Sequence, residues 1–171
     1  MSLIEDILAP ESVLCDVPAT SRKRALQALA ETLTRACEDD RLSDSGVVFD
    51  RLIEREHHGS TGIGQGCALP HACIEGVSCA CAVFLQLAEG VDFDAPDGDP
   101  VDIVFGLLLP RISEEDNRRH LEVLAQIARL LSDRELRESL RSSSEPGQIR
   151  RIIVDAARKE GEEGGGSSAK G

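Results

Sequence analysis

His71 ends the run Gly59-Ser60-Thr61-Gly62-Ile63-Gly64-Gln65-Gly66-Cys67-Ala68-Leu69-Pro70-His71, in which four glycines crowd a turn and a proline precedes the imidazole. Glycine permits positive φ and a close approach of backbone to ligand, while proline fixes its own φ and restricts the residue before it. A histidine held by such a backbone is aimed. Neutral imidazole is a competent nucleophile near pH 7, and a covalent histidine intermediate splits one difficult transfer into two easier ones. Backbone N–H groups around Gly62 and Gly64 and the hydroxyls of Ser60 and Thr61 could cradle a small anion beside it. Phosphorus is the natural electrophile for this arrangement. Phosphoryl transfer depends on positioning and on charge spread over donors and a cation, which Arg55 and a second histidine could supply.

The stretch is not a nucleotide cradle. No Gly-Lys-Ser/Thr follows it, and its glycine spacing fails the dinucleotide fingerprint. A metal site is a rival, because Cys67, His71 and Cys73 cluster in sequence, Cys79 and Cys81 follow, and His57-His58 lie upstream. Cys-x3-His-x-Cys is an uncommon zinc spacing, however, and the expectation is no metal and no cofactor. Reduced, mostly buried cysteines are the simpler reading of all six.

The elements that must position these residues follow from periodicity. A helical turn over 3–8 and a strand over Ser12 to Val17 come first. A helix then starts with Thr20 or Ser21 as N-cap and buries Leu26, Leu29, Ala30, Leu33 and Cys37. Ser43 or Asp44 caps a second helix whose Val48, Phe49, Leu52, Ile53 and Glu56 share one side, with Arg55 in its last turn. The glycine-rich stretch is a loop in this reading. Two apolar strands, Ser78 to Leu87 and Val101 to Leu109, carry little polar alternation and imply a central sheet covered on both faces by helices. Asp97-Gly98 is a turn between them. A helix opening at Ser113-Glu114-Glu115-Asp116 has Leu121, Leu124, Ala125, Ala128 and Leu131 as its apolar stripe, with His120 at its border. Ser132-Asp133-Arg134-Glu135 is a capping-box pattern for a helix with Leu136 and Leu140, and a last helix spans Pro146 to Lys159. The expectation is a single α/β domain over 1–158, a mixed central sheet flanked by helices on both faces, with a disordered Gly/Ser/Glu-rich tail over 159–171.

Composition bounds the function. With 41% apolar and 29% charged residues in 171, the chain can bury a substantial core. A net charge of −12, no Trp, no Tyr and four Phe argue against nucleic-acid binding. No apolar run approaches the ~20 residues that span a bilayer, and Met1 to Asp6 lacks a signal-peptide pattern. A cytoplasmic location is expected.

The run Arg55-Glu56, Gly59-Ser60-Thr61-Gly62-Ile63-Gly64 and Ala68-Leu69-Pro70-His71 resembles the active-site signature of the phosphoenolpyruvate-dependent sugar phosphotransferase system enzyme IIA, type 2, the fructose–mannitol and nitrogen-regulatory class. The resemblance covers about residues 3–157. It implies that His71 accepts a phosphoryl group from the phosphocarrier HPr or its nitrogen-branch counterpart, that His120 orients that group and that Arg55 neutralises its charge. The family's usual Asn is Gln65 here, and its usual β-branched residue before Pro-His is Leu69. A standalone IIA domain is more similar to the nitrogen-regulatory branch, in which phosphorylation signals to regulatory protein targets. The alternatives are a sugar-specific component that passes phosphoryl to a IIB component of a fructose or mannitol permease, and a non-catalytic metal-binding or interaction domain.

Overall fold

The computed structural model describes residues 3–37, 44–75, 77–111 and 114–166. Ser43, Ser113 and residues 167–171, which entered the sequence reading as caps and tail, lie outside the described residues. Among the described residues six strands form one mixed sheet: β1 (Val13–Val17), β2 (Gly62–Gly64), β3 (Cys67–Ala68), β4 (His71–Ile74), β5 (Cys81–Val91) and β6 (Val101–Pro110). The order is β1-β5-β6-β3-β2, with β4 also on β6. The β5–β6 pair is antiparallel, while β1 runs parallel to β5 on one side and β3 and β4 run parallel to β6 on the other.

The two central strands form because they are almost continuously apolar and must be covered on both faces. Val83, Leu85, Val104 and Leu108 point into a core closed by α2 (Arg22–Ala36) and α3 (Ser45–His57). Phe84, Phe105, Leu107 and Leu109 point into a second core with Ile4 of α1 (Leu3–Ile7). α4 (Glu114–Ser132), α5 (Arg134–Ser142) and α6 (Pro146–Gly166) close that face. Phe84 and Phe105 meet edge to face, ring centres 5.9 Å apart. The expected α/β architecture is the observed one.

The helix caps follow the chemistry of their sequences. Ser21 caps α2 by accepting from Arg24 N at 3.1 Å, and Asp44 caps α3 by accepting from Gly46 N at 2.8 Å. Asp133 caps α5 by accepting from Glu135 N, so α4 runs through Ser132 and the expected box starting at Ser132 is displaced by one residue. No described helix is long and apolar enough to cross a membrane.

Three expectations need correction. The glycine-rich stretch is not a loop: β2 and β3 form a hairpin around Gln65-Gly66. Both turn residues have positive φ, 59° and 77°, as a two-residue hairpin turn of the primed type demands. The α4 stripe is also rotated. Val123, Ile127, Leu130 and Leu131 are buried with His120, whereas Leu121 is 66% exposed and Ala125 faces solvent. Leu131 of the expected stripe is buried, and Leu124 and Ala128 pack partly against the same core, so the buried face is the expected one turned toward His120 and Val123. Finally, α6 continues past Lys159 to Gly166, because Glu160 is ion-paired with Arg129 of α4 and extends the docked face by a turn.

Candidate functional site

His71 opens β4 at the edge of the sheet. β3 and β4 form one lane against β6, in the same register on both sides of Leu69-Pro70, from Cys67↔Ile103 to Ile74↔Pro110. The Pro70 carbonyl accepts from Leu107 N at 3.0 Å, so the lane is continuous where proline lacks its own donor. Alternation then fixes the faces. Ala68, Ala72 and Ile74 point toward α2 and α3, while Cys67 and Leu69 point into the core under α4. His71 opens β4 half buried at the sheet edge, where its ring reaches Arg55 at the end of α3.

The imidazole is held by two contacts. Its Nδ1 lies 2.9 Å from the Leu69 carbonyl oxygen, an acceptor only, so Nδ1 carries the proton and donates. The lone pair is therefore on Nε2. Arg55 Nε donates to that atom at 3.4 Å, and Arg55 Nη1 donates to the Gly59 carbonyl at 2.9 Å, which anchors the guanidinium at the end of α3. Burial lowers the His71 pKa from its ordinary 6.5; the hydrogen bond to Leu69 opposes this, Arg55 adds to it, and Glu56 opposes it. The ring is thus kept neutral with its nucleophilic nitrogen facing a cation.

The expected site residues divide into two groups. Arg55 and His71, far apart in sequence, are brought together. His120 is buried on α4, whose Val123, Ile127 and Leu131 pack into the core that also holds Cys67 and Leu69. Ser60, Thr61, Gly62 and Gly64 line the hairpin, but both hydroxyls and the N–H groups of Thr61 and Gly62 are engaged inside the protein. Ser60 Oγ donates to the Phe93 carbonyl and accepts from Gly62 N at 3.0 Å. Thr61 gives both its donors to Glu56: its N at 3.0 Å to Oε1 and its Oγ1 at 2.7 Å to Oε2. The anticipated cradle of hydroxyls is, in this structure, a brace that shapes the turn.

The metal reading meets a geometric obstacle. Cys67 and His71 are four residues apart in an extended lane, roughly 13 Å. Cys67 is buried and its thiol is pushed up to about 11, chiefly by burial, which disfavours the thiolate a metal needs. Cys73 is exposed, and His57 and His58 are exposed at the end of α3. Among the described residues no group of three or more His, Cys, Asp or Glu could hold a metal ion.

Sequence reasoning missed the residues that hold the hairpin tip. Gln65 N donates to Asp97 Oδ2 at 2.8 Å, and the Gln65 carbonyl accepts from Arg141 Nη2 at 2.7 Å. The same guanidinium grips both oxygens of Asp102, at 3.0–3.2 Å, and the Gly66 carbonyl accepts from Asp102 N and Ile103 N. A Cβ on Gly66 would displace the Arg141 guanidinium, and its φ of 77° favours glycine. These partners lie 32 and 76 residues from Gln65, beyond any local signal. The Asp97-Gly98 turn itself was legible, though its role was not.

A mixed α/β sheet thus presents a half-buried histidine on an edge strand to an arginine at the end of α3, and comparison with known proteins gives the family. The family model described as "Phosphoenolpyruvate-dependent sugar phosphotransferase system, EIIA 2" matches residues 6–156. A nitrogen regulatory protein of Pseudomonas aeruginosa is 39% identical over 155 residues, covering 91% of this chain and 97% of that protein. A fructose-specific EIIA component of Haloferax volcanii is 31% identical over 152 residues, covering 89% and 95%. The crystal structure of the nitrogen regulatory protein IIA-Ntr from Neisseria meningitidis superposes with a TM-score of 0.81 at 38% identity, covering 89% of this chain and 99% of that one. The chain belongs to the EIIA type 2 family of the phosphotransferase system.

Proposed function

We propose that this protein is a cytoplasmic phosphohistidine carrier of the nitrogen-regulatory branch, which accepts a phosphoryl group from an HPr-type phosphocarrier onto Nε2 of His71 and signals its phosphorylation state to protein partners. The observation that carries the reading is the ring geometry: Nδ1 is tied to the Leu69 carbonyl and Nε2 faces Arg55. In the transfer, the Nε2 lone pair attacks phosphorus, the donor's N–P bond breaks, and its electron pair returns to the donor imidazole. Nδ1 keeps its proton, and the Leu69 carbonyl stabilises the positive charge that attack places on the ring. Arg55 leaves Nε2 and moves onto the incoming phosphoryl oxygens, where a guanidinium can bind two at once. His120 orients the phosphoryl group from the α4 side. Ser60, Thr61, Gly62 and Gly64 hold the turn in the shape this alignment requires.

The nitrogen-regulatory reading is supported by the relatives at 39% and 38% identity, each covered almost throughout. The fructose-specific relative supports a second reading, in which His71 passes its phosphoryl group to a IIB component. The protein is incubated with phosphoenolpyruvate, enzyme I and an HPr-type carrier. An acid-labile, base-stable label on the wild type, absent from His71→Ala, is expected. A wild type that stays unlabelled by a verified donor chain contradicts the proposal, and onward transfer to a purified fructose or mannitol IIB favours the second reading.

A further inference from the structure

Glu56 follows Arg55 in sequence but points the other way, into the protein. It continues the buried side of α3 set by Val48 and Leu52, spaced four residues apart, where another apolar side chain would complete the packing on α2. Instead the position holds a carboxylate only 6% exposed. Burying such a group is unfavourable unless partners compensate, and the partners here are specific. Thr61 donates to it twice, and Arg22 of α2 places Nη1 3.7 Å from Oε1. Arg22 also donates to the Phe93 carbonyl, the acceptor that Ser60 uses. The last turn of α3, the first residues of the hairpin, α2 and the segment after β5 are thus joined at one buried point directly beneath the Arg55–His71 contact.

We propose, on the phosphocarrier reading above, that Glu56 is a positioning residue: it fixes the path from Arg55 to the hairpin so that the guanidinium meets Nε2 of His71, and it keeps negative charge behind the imidazole. The first role follows from connectivity. Between Arg55 and β2 the chain reverses in six residues, and Glu56 holds the far side of that reversal through Thr61 N and Oγ1 while Arg55 holds the near side through the Gly59 carbonyl. The second follows from charge. On α3, Arg55 and His57 flank Glu56; from α2, Arg22 contacts it and Lys23 lies on the same pocket wall; and from β4 the His71 ring meets Arg55, the residue next to Glu56. Glu56 is the group in this set that favours the protonated imidazole.

Three full-length variants separate the roles. Glu56→Gln keeps the size and one of the two acceptor oxygens but removes the charge; Thr61→Val removes one hydroxyl bond but leaves the charge; Glu56→Ala removes both. His71 titration is followed by NMR on histidine-labelled protein, alongside thermal unfolding and the pH profile of phosphoryl acceptance from an HPr-type donor. In Glu56→Gln, the His71 titration and the acid limb of the profile move to lower pH. In Thr61→Val the limb stays in place while the rate falls on the order of tenfold, as expected for sub-ångström misplacement. An unmoved titration in a folded Glu56→Gln, or a wild-type rate in Thr61→Val, overturns the corresponding role. If Glu56→Gln fails to fold, its role is structural and the charge proposal is overturned. A wild type that accepts no phosphoryl group rejects the carrier reading instead, and the titration still decides on Glu56.

Discussion

The β5–β6 pair and the β2–β3 hairpin share one sheet, yet they are held by opposite means. The first is long, apolar and buried on both faces, so its stability comes from area removed from water and from packing such as Phe84 on Phe105. The second is a three-residue strand and a two-residue strand, and its tip is held by side chains from elsewhere: Asp97 and Arg141 on Gln65, Glu56 on Thr61. A central pair built from hydrophobic area tolerates repacking, because volume and pattern suffice. A hairpin built from directed polar contacts does not, because each contact specifies a position. His71 stands at the end of the directed part, on a lane whose other side is the rigid part.

This contrast can be broken from either end. Phe105→Ala in the central strand should cost the most stability, about 3–5 kcal/mol by urea unfolding, while the fraction that folds retains near wild-type phosphoryl acceptance. A comparable loss of transfer in the folded fraction would show that the two regions are not separable. Gly66→Ala acts on the other region. With φ at 77° and Arg141 in the way, it should cost about 1–3 kcal/mol, and phosphoryl acceptance should fall further than the stability loss accounts for. A rate unchanged in the folded protein would mean that the hairpin tip does not set His71.

The smaller effects sharpen the comparison. Gln65 occupies a left-handed position where Asn-Gly is the favoured pair, so Gln65→Asn should stabilise by less than about 1 kcal/mol, read from the thermal midpoint. A decrease would mean that the Gln side chain itself contributes. For His71, burial lowers the folded pKa below the unfolded value near 6.5, so the unfolded chain takes up the proton first. The linked stability is full above pH 6.5 and is lost as pH falls from there through the folded value. The stability difference between wild type and His71→Gln, measured from pH 7.5 to 5, should therefore shrink in the wild type's disfavour on the acid side and plateau above 6.5.

What was legible in the sequence follows the same division. α2, with Ser21 and its Leu26, Leu29 and Leu33 stripe, and the strands at Val83 and Val104 declare themselves because one physical effect acts within a short window. Arg55 and His71 were singled out by residue type and glycine context, and their meeting is a tertiary fact no window contains. The hairpin was read as a loop because glycine replaces the β-branched residues that mark strands, and the donors that compensate come from Asp97 and Arg141. The phase of α4 was read only in part, because Leu121 is apolar yet exposed and His120 polar yet buried, while Leu131 packs as expected. Thr61 and Ser60 looked like ligands for an anion. In the fold they bind Glu56 and Phe93, a buried carboxylate and a carbonyl that local pattern does not reveal.

The central claim is that His71 is phosphorylated on Nε2, with Nδ1 protonated against the Leu69 carbonyl. Phosphorus-coupled nitrogen NMR on the histidine-labelled, phosphorylated protein tests it most directly. One phosphohistidine with phosphorus coupled to Nε2 of His71, and a proton retained on Nδ1, is the expected result; phosphorus on Nδ1, or on His57, His58 or His120, would contradict it.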